Sequence, residues 1–434
     1  MTRPAPRIPL ILLVVAMAVG AVLLAPARAG AVASRTGHGS TVAAPQRLHP
    51  GELQRLLDQL VAAGAPGAAA RVRDDHAVKQ AASGVADLRS GRRMRPGLNY
   101  RVGSLTKPFV ATVVLQLVAE GKLSLSDTVE RWLPGILPYG AHVTIRQLLN
   151  HTSGIPDNSL EPLVVLYTFP DGRSRAWTPR ELVALVADQP PDFPPGTAWS
   201  YSNTGYVLAG MIIETATGRS LGQELTRRIL RPLRLRDTFF PVNRPDIPGP
   251  NPRGYSLPLI DEAGPLLDFT VYNPSLAWGA GNLISDLADL ERFFRALLGG
   301  RLLPARLLAQ MTTPVDTGVP GYGYGLGLEM IETPSGRLVG HGGAIPGFDN
   351  LVLNTQDGRR QLGVMINEFI APTAVIEAFT QVVAELSARL LEAAPAGEAS
   401  TSASLAAAIP AATPTATAQA LDQVRAELAV RAQH

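Results

Sequence analysis

Arg101-Val102-Gly103-Ser104-Leu105-Thr106-Lys107-Pro108 opens an almost wholly apolar segment that extends over 109–120. A helix that is apolar on nearly every face lies inside a protein core. Proline is tolerated in the first turn of a helix but not further in, so Pro108 predicts that the helix begins near Ser104. Gly121 is a typical C-terminal cap. The segment therefore predicts a buried helix with a serine and a lysine in its first turn.

The pair Ser104 and Lys107 is the first candidate for chemistry. Residues i and i+3 share one helix face, so the lysine amine can hydrogen-bond the serine hydroxyl. A lysine in a dry pocket loses its proton readily and can act as a base, and the amides of a helix N-terminus favour a developing anion. The alternative is a helix cap followed by a solvated lysine. The apolar helix argues against that alternative, because it places the lysine beside the core.

Two further segments carry candidate residues. In Tyr201-Ser202-Asn203, the tyrosine could exchange a proton with the serine–lysine pair and the asparagine could orient a substrate amide. In His341-Gly342-Gly343, at the end of a predicted strand, the glycines let another backbone approach, so a substrate could lie along the strand and a main-chain N–H could complete an oxyanion hole. Each segment also has a structural alternative: a core tyrosine with an asparagine capping the next helix, and a strand-to-turn glycine pair with an exposed histidine.

Gly218-Arg219-Ser220-Leu221-Gly222 fits the G-x-S-x-G pattern, which needs a strand before the serine and a helix after it. Here a predicted helix precedes the serine and ends at Gly218. Ser220 and Gln223 together have the spacing of a capping box for another helix. The pattern therefore predicts a helix cap and not a nucleophile.

Strand-like segments stand at both ends of the folded region, and helical segments stand between them. This order indicates one sheet made from both chain ends plus a helical insert, which is an α+β or mixed α/β fold. Besides the buried helix, the predicted helices cover 50–63, 181–187, 205–217, 286–299 behind the cap Ser285, and 372–391. The predicted strands cover 67–73, 79–87, 336–341, 347–354 and 361–367.

Composition excludes several classes of protein. The chain of 434 residues is 46% hydrophobic and 17% charged, which excludes full disorder. Its net charge of +3 is too balanced to indicate a nucleic-acid-binding protein. The absence of cysteine excludes disulfides, cysteine-ligated metal centres and a cysteine nucleophile.

Both termini differ in composition from the folded region. An apolar run from Pro9 to Ala25 and the small-residue site Ala27-Arg28-Ala29 predict a cleavable signal peptide over 1–29. Residues 30–47 predict a flexible lead-in, and 393–434 an Ala/Thr/Pro-rich tail. We therefore expect a secreted or extracytoplasmic protein whose folded domain covers 48–392, with no stable membrane insertion once the signal is cleaved and an anchor only if it is retained.

The order S-x-x-K, Y-x-N and H-x-G along the chain resembles the penicillin-recognising serine hydrolases. The likeness is greatest to the actinomycete-type serine D-alanyl-D-alanine carboxypeptidases and the class C β-lactamases. It covers about residues 48–392. Beyond the three motifs, the segments that also match are 101–107, 116–123, 148–154, 195–204 and 324–328.

The resemblance implies a β-lactamase/transpeptidase-like fold, with a five-stranded antiparallel sheet flanked by helices beside an all-helical region. Ser104 would be the acylated nucleophile, and Lys107 and Tyr201 would share its proton and later activate water. The amides of Ser104 and Ala344 would form the oxyanion hole, and no metal or organic cofactor is implied. The implied substrate-binding residues are Asn203, His341, Gly342, Gly343 and Ala344.

Three positions depart from the carboxypeptidase pattern. Gly342 and Ala344 stand where those enzymes carry hydroxyl residues. Glu329 stands where relatives that bind a substrate carboxylate place an arginine. A desolvated carboxylate needs a cation or several donors, so we expect weak recognition of a C-terminal carboxylate.

The function that these features predict is that of a secreted serine hydrolase acting through a Ser104 acyl-enzyme. Its expected substrates are cell-wall peptides, as for a D-alanyl-D-alanine carboxypeptidase. The alternatives are an esterase or a β-lactamase of the same family, and a non-catalytic cell-wall binding protein. The expected partners are a peptide or a small ester or amide, with β-lactams as inhibitors or substrates, and no nucleic acid.

Overall fold

The computed structural model describes residues 48–75, 77–259, 264–333 and 335–392. The predicted signal peptide, lead-in and tail lie outside these ranges. Among the described residues, no helix combines the length and the apolar character that crossing a membrane requires. The strands are β1 (Gly67–Arg73), β2 (Val78–Asp87), β3 (Arg92–Arg93), β4 (Tyr100–Arg101), β5 (Tyr255–Ser256), β6 (Leu267–Asp268), β7 (Ile284–Ser285), β8 (Val315–Asp316), β9 (Tyr322–Tyr324), β10 (Glu329–Thr333), β11 (Gly336–Ile345), β12 (Phe348–Thr355) and β13 (Gln361–Ile366).

The helices fill the middle of the chain and both of its described ends. Three 3₁₀ turns cover Gly103–Leu105, Gly140–His142 and Pro274–Leu276, and one π-helical turn covers Thr226–Leu230. The α-helices are α1 (Pro50–Ala62), α2 (Thr106–Ala119), α3 (Val129–Trp132), α4 (Ile145–Leu149), α5 (Leu160–Thr168), α6 (Pro179–Ala184), α7 (Asn203–Thr217), α8 (Leu221–Leu225), α9 (Arg231–Leu233), α10 (Trp278–Gly281), α11 (Leu287–Leu298), α12 (Ala305–Met311) and α13 (Thr373–Glu392).

A nine-stranded antiparallel sheet organises the described part of the chain, in the order β3-β2-β1-β13-β12-β11-β10-β9-β8. The first long strand pairs with the last, since Ala68 lies opposite Ile366. This pairing confirms the predicted sheet made from both chain ends. Glycines with positive φ allow the sharp turns that join the C-terminal strands, Gly347 (φ 99°) between β11 and β12 and Gly358 (φ 67°) between β12 and β13.

Two apolar cores lie on opposite faces of the sheet. Side chains of α1 and α13, including Leu57 and Phe379, pack on one face together with β1, β12 and β13. The larger core contains α2, α7 and α11 and contacts the other face through residues such as Val339 and Met365. The buried helix α2 therefore lies between the sheet and the helical region, which is where its all-round apolar character predicts it.

The structure corrects three details of the predicted fold. Nine paired strands replace the implied five: six longer strands form the middle of the sheet, and the short strands β3, β8 and β9 lie at its edges. The cap of α11 is Asp286, whose side chain accepts a hydrogen bond from the Asp289 N–H, and not Ser285. The α-helix after the nucleophile segment begins at Thr106, because a 3₁₀ turn over Gly103–Leu105 precedes it.

Candidate active site

Ser104 lies in the 3₁₀ turn where α2 meets strand β11. Gly103, just before it, has φ 54°, and a Cβ at that position would lie 2.7 Å from the Ala344 carbonyl oxygen. Only a glycine allows both the left-handed backbone and this close approach. The backbone of the nucleophile segment therefore lies directly against the third motif.

Lys107 is fully buried beside Ser104. Its Nζ lies 2.9 Å from Ser104 Oγ and donates hydrogen bonds to Asn203 Oδ1 at 2.8 Å and to the Ala280 carbonyl oxygen at 2.9 Å. The last two partners can only accept hydrogen bonds. In the neutral amine they occupy both N–H groups, so the lone pair faces the serine hydroxyl.

The protonation of Lys107 is balanced between burial and two carboxylates. Burial lowers its pKa from 10.5 to about 7, and the charges of Asp157 and Glu329 partly oppose this shift. A substantial fraction of the lysine is therefore neutral near pH 7, which is the condition for accepting a proton from Ser104.

Tyr201 and Asn203 approach the pair from the start of α7. The Lys107 Nζ lies 4.8 Å from the centre of the Tyr201 ring. Burial raises the pKa of Tyr201 well above its usual value, and a hydrogen bond with the Ser104 side chain opposes the rise. The Tyr201 ring also stacks on His151, with centroids 4.1 Å apart. These contacts place a neutral phenol next to the serine hydroxyl.

Asp157 holds the start of α7. Its Oδ1 accepts a hydrogen bond from the Asn203 N–H at 2.7 Å, and its Oδ2 accepts one from the Ser159 hydroxyl. Burial raises the pKa of Asp157, although these hydrogen bonds and Lys107 oppose the shift. The sequence analysis missed this residue. The signal available was a polar group, Asp157-Asn158-Ser159, soon after the matched segment 148–154.

The edge of β11 carries the third motif. The Gly342 N–H donates to Glu329 Oε2 at 3.1 Å, so it points away from β12. Alternate residues of a strand point their N–H groups to the same edge. The Ala344 N–H therefore points to this edge as well, where it faces the segment of Ser104.

His341 is buried behind the cleft and not exposed. Its Nδ1 lies 2.5 Å from the Gly342 carbonyl oxygen and 3.4 Å from Glu329 Oε1, both acceptors, and its Nε2 lies 2.8 Å from the Tyr324 hydroxyl. The proton therefore sits on Nδ1, and the Tyr324 hydroxyl donates to Nε2. Burial, followed by the charge of Lys107, lowers the pKa of His341 to about 3. The ring is neutral, so it supplies no positive charge to a substrate.

Glu329 is a second titrating group beside the edge of β11. Burial raises its pKa to about 7, while the hydrogen bond from Gly342 and the charge of Lys107 oppose the shift. Its carboxyl group contacts the strand edge from the position where a carboxylate-binding relative would place an arginine. The edge of β11 therefore has an acidic side chain next to it and not a cationic one.

The cleft above Ser104 combines polar groups with an apolar wall. Of the predicted site residues, Ser104, Asn203 and Ala344 line it. Lys107, Tyr201, His341, Gly342 and Gly343 are buried next to these residues and do not line it. The structure adds further lining residues that the sequence analysis did not single out: Asn158, Ser159, Leu163, Leu276, Ala277, Ala280, Gly281, Ile345, Pro346 and Phe369.

No charged side chain lines this cleft among the described residues. Within the same ranges, no group of three histidine, aspartate or glutamate side chains is arranged to hold a metal ion. What the site offers chemically is a buried serine–lysine pair, a neutral phenol, an amide side chain and strand-edge N–H groups. These are the parts of a serine acyl-transfer site.

Comparison with known proteins identifies the class as the penicillin-recognising serine hydrolases. The β-lactamase family model matches residues 53–385, so the chain belongs to that family. It is 31% identical to Penicillin-binding protein 4* of Bacillus subtilis over 66% of this chain and 64% of that protein, slightly under two thirds of the relative's length.

Two solved structures are similar over most of the described fold. A D-stereospecific amidohydrolase from Streptomyces sp. is 42% identical, with a TM-score of 0.69 over 76% of this chain and 98% of that chain. A D-amino acid amidase from Ochrobactrum anthropi is 31% identical, with a TM-score of 0.68 over 79% of this chain and 97% of that chain. These likenesses confirm the predicted fold class.

Proposed function

We propose that the protein hydrolyses amides and esters of short D-configured substrates that carry a free α-amino group, through an acyl-enzyme on Ser104. The observation that carries this proposal is the coordination of Lys107. Two acceptors, Asn203 Oδ1 and the Ala280 carbonyl oxygen, hold its N–H groups, and the lone pair faces Ser104 Oγ at 2.9 Å. The lysine is thus oriented as a base toward this hydroxyl.

Acylation follows from this geometry. The neutral Lys107 accepts the Ser104 proton as Oγ attacks the substrate carbonyl carbon, and the N–H groups of Ser104 and Ala344 stabilise the oxyanion. Because Asn203 Oδ1 is engaged with Lys107, its Nδ2 is free to donate to the acyl part of the substrate. Tyr201, as a neutral phenol beside the serine, gives a proton to the departing amine or alcohol and receives in exchange the proton that Lys107 took from Ser104, so both groups are neutral again in the acyl-enzyme.

Deacylation uses the same groups in reverse. Water occupies the place of the leaving group and attacks the ester carbonyl carbon. As Tyr201 takes a proton from that water it passes its own proton to the neutral Lys107, and the Lys107 ammonium returns one proton to Ser104 Oγ when the ester bond breaks. The buried histidine has no proton-transfer role here, because it is neutral and its ring nitrogens are engaged with Gly342 and Tyr324.

The charges around the cleft favour an amine over a carboxylate. The cleft has no cationic lining residue in the described chain, and Asp157 and Glu329 stand beside Lys107. An ammonium group is stabilised by nearby carboxylates, whereas a substrate carboxylate would be repelled. The D-configuration is inferred from the two related amidohydrolases, and the preference for an amine is inferred from the charges around the cleft.

The second candidate is a D-alanyl-D-alanine carboxypeptidase acting on cell-wall peptides. Its support is the likeness to a penicillin-binding protein, together with the export signal that the sequence predicts. We infer an extracytoplasmic location from the same signal. The predicted lack of a carboxylate site argues against this candidate, and the same fold could also serve an esterase or a β-lactamase.

Paired substrates separate the two candidates. We expect D-alanine p-nitroanilide to exceed its N-acetylated form in kcat/KM by at least tenfold, about 1.4 kcal/mol. A D-Ala-D-Ala peptide and its C-terminal amide should differ little. A preference for the free acid above ~100-fold, about 2.7 kcal/mol, would instead establish the carboxypeptidase.

Two variants test the nucleophile and its base. Ser104→Ala should lose several orders of magnitude in kcat and should form no acyl-enzyme detectable by mass. Lys107→Arg should be nearly inactive, because a guanidinium does not give up its proton. Turnover within tenfold of the wild type in either variant would refute the role assigned to that residue. Circular dichroism of each variant excludes loss of activity through unfolding. If none of these substrates forms an acyl-enzyme, the result would instead favour the alternative of a non-catalytic binding protein.

A further inference from the structure

Positive charge is concentrated in one segment of the chain. Residues 219–244 contain seven arginines, one aspartate and one glutamate, a net charge of +5, whereas the whole chain has a net charge of only +3. The rest of the sequence is therefore slightly acidic. A balanced protein with one strongly basic segment has a directed electrostatic field at that segment.

The segment folds around a surface groove that is separate from the cleft. Two adjoining cavities, of about 610 and 480 Å³, share Thr226, Arg231 and Phe240 as lining residues. Arg234, Arg236 and Arg244 line the larger cavity, and Arg219 and Arg227 the smaller. Neither cavity shares a lining residue with the cleft at Ser104. The groove is thus a separate concave surface with arginines along its length.

Three of these arginines have no acidic partner among the residues that the structure describes. Arg227 pairs with Glu224 and Arg244 with Asp246. Arg231, Arg234 and Arg236 are exposed and form no ion pair with any residue in the described ranges. Guanidinium groups recognise phosphate oxygens in a bidentate manner, so unpaired ones at a concave surface are suited to a phosphate-rich ligand.

The backbone around the groove is irregular at the positions that shape it. The helix lining it contains the π-helical turn Thr226–Leu230, a feature that is frequent at functional sites. Arg234 and Val242 both have φ 53°. Such values are uncommon for non-glycine residues and are costly for a β-branched one. The fold thus maintains a strained backbone on both sides of an arginine-lined groove.

We propose that this groove binds a linear polyanion whose charges are phosphodiester groups. The concave form suits a chain laid along the groove better than the flat surface of a membrane. Val242 is exposed beside it, but it is the only exposed large apolar side chain of residues 219–244, all of them described, that could insert into lipid. Binding of an anionic polymer there would not involve the residues at Ser104.

The test measures binding of a fluorescent poly(glycerol phosphate) chain by anisotropy. The triple variant Arg231→Gln, Arg234→Gln, Arg236→Gln should bind at least tenfold more weakly at low salt. The slope of log K against log salt should fall by about 2, because each phosphate contact contributes ~0.7–0.9. Hydrolysis of a small chromogenic substrate should stay unchanged, since the groove is separate from the cleft, and this also shows that the variant is folded.

A matched control carries the same charge loss elsewhere. Arg95, Arg180 and Arg306 are exposed and form no ion pair with described residues, so their triple replacement by Gln should leave binding within twofold. Equal losses in both triple variants would overturn the proposal, because net charge alone would then explain binding. Binding to phosphatidylglycerol vesicles without binding to the polymer would also overturn it, as would equal affinity for poly-glutamate.

Discussion

At the level of single residues, the active site depends on two groups that titrate in the same range. The pKa of Lys107 is lowered to about 7 and that of Glu329 is raised to about 7, and each charge favours the charged form of the other. Groups coupled in this way titrate as a pair and not singly. The pH dependence of kcat/KM should therefore reflect the coupled titration of Lys107 and Glu329 and not the titration of an isolated lysine.

Replacing Glu329 with Gln should move the acidic limb of the pH profile. Lys107 must be neutral to accept the Ser104 proton, so kcat/KM rises as the pH rises through about 7. Glu329 stabilises the ammonium form. Without that charge the pKa of Lys107 falls, and the limb should move to lower pH by about one unit. Glutamine can still accept a hydrogen bond from the Gly342 N–H, so the edge of β11 should keep its shape.

The control for this experiment is Asp349→Asn. Burial also raises the pKa of Asp349 to about 7, but this residue does not act on Lys107. When kcat/KM is measured from pH 5 to 9, Asp349→Asn should leave the pH of the acidic limb unchanged. A limb that stays fixed in Glu329→Gln, or that moves to higher pH, would contradict the electrostatic role of Glu329.

Sequence reasoning reached the residues whose chemistry depends on spacing along one element. Ser104 and Lys107 are three positions apart, so local geometry brings them together. It did not reach Asp157, Ala280 or Tyr324, because their contacts join segments far apart in the chain. It also left His341 open as an exposed group, since burial on a sheet face depends on which strands pair, and the motif alone does not determine this.

At the level of elements, the site depends on how closely β11 approaches the nucleophile turn. A Cβ at Gly343 would lie 2.0 Å from the Val102 carbonyl oxygen, which is backbone and cannot rotate away. Asn350 Nδ2 donates to the Gly343 carbonyl oxygen at 2.6 Å and holds this junction from β12. The proposed oxyanion hole would form across the junction, from the N–H of Ser104 on one side and that of Ala344 on the other.

Gly343→Ala should therefore damage catalysis more than folding. The added methyl group forces β11 away from the turn and widens the oxyanion hole by about 1 Å, which commonly costs ~10²-fold in rate. We expect the loss in kcat with a smaller change in KM, measured alongside the thermal midpoint. Gly51→Ala is the control, because a Cβ there meets nothing within 4 Å. Equal kcat in Gly343→Ala and the wild type would show that catalysis does not depend on the close approach of β11 to the nucleophile turn.

Element prediction succeeded where periodicity was long and failed where it was short. The predicted helices 50–63 and 372–391 and the strand 67–73 agree with α1, α13 and β1 within one or two residues. The strands β3, β8 and β9 have only two or three residues, so they show no alternation to detect. Their formation depends on pairing with a neighbouring strand, which is a tertiary effect.

At the level of the whole molecule, the sheet separates two apolar cores and, within the described ranges, leaves the buried Glu368 without a hydrogen-bond partner. Glu368 follows β13, is 1% exposed, and neither of its carboxyl oxygens forms a hydrogen bond with a described residue. Burial raises its pKa from 4.5 to about 8. The native protein therefore holds a proton on Glu368 at pH 5–7, where the unfolded chain has released it.

This difference couples stability to pH with a definite sign. A group whose pKa is higher in the folded state contributes stability that is complete below the unfolded value and is lost as the pH rises through the folded value. Glu368 should thus lower the free energy of unfolding between about pH 4.5 and 8. Lys107 contributes nothing below pH 6, because it is then protonated in both states.

Glu368→Gln should make stability less dependent on pH. One fully linked proton changes the free energy of unfolding by about 1.4 kcal/mol per pH unit. Between pH 5 and 6 the wild type should lose about that much more stability than the variant, as measured by urea unfolding at each pH. Glu377→Gln, an exposed change on α13, should behave as the wild type. Parallel stability curves for Glu368→Gln and the wild type would mean that the Glu368 carboxyl is ionised in the native state, and that a group bound to it in solution compensates its charge.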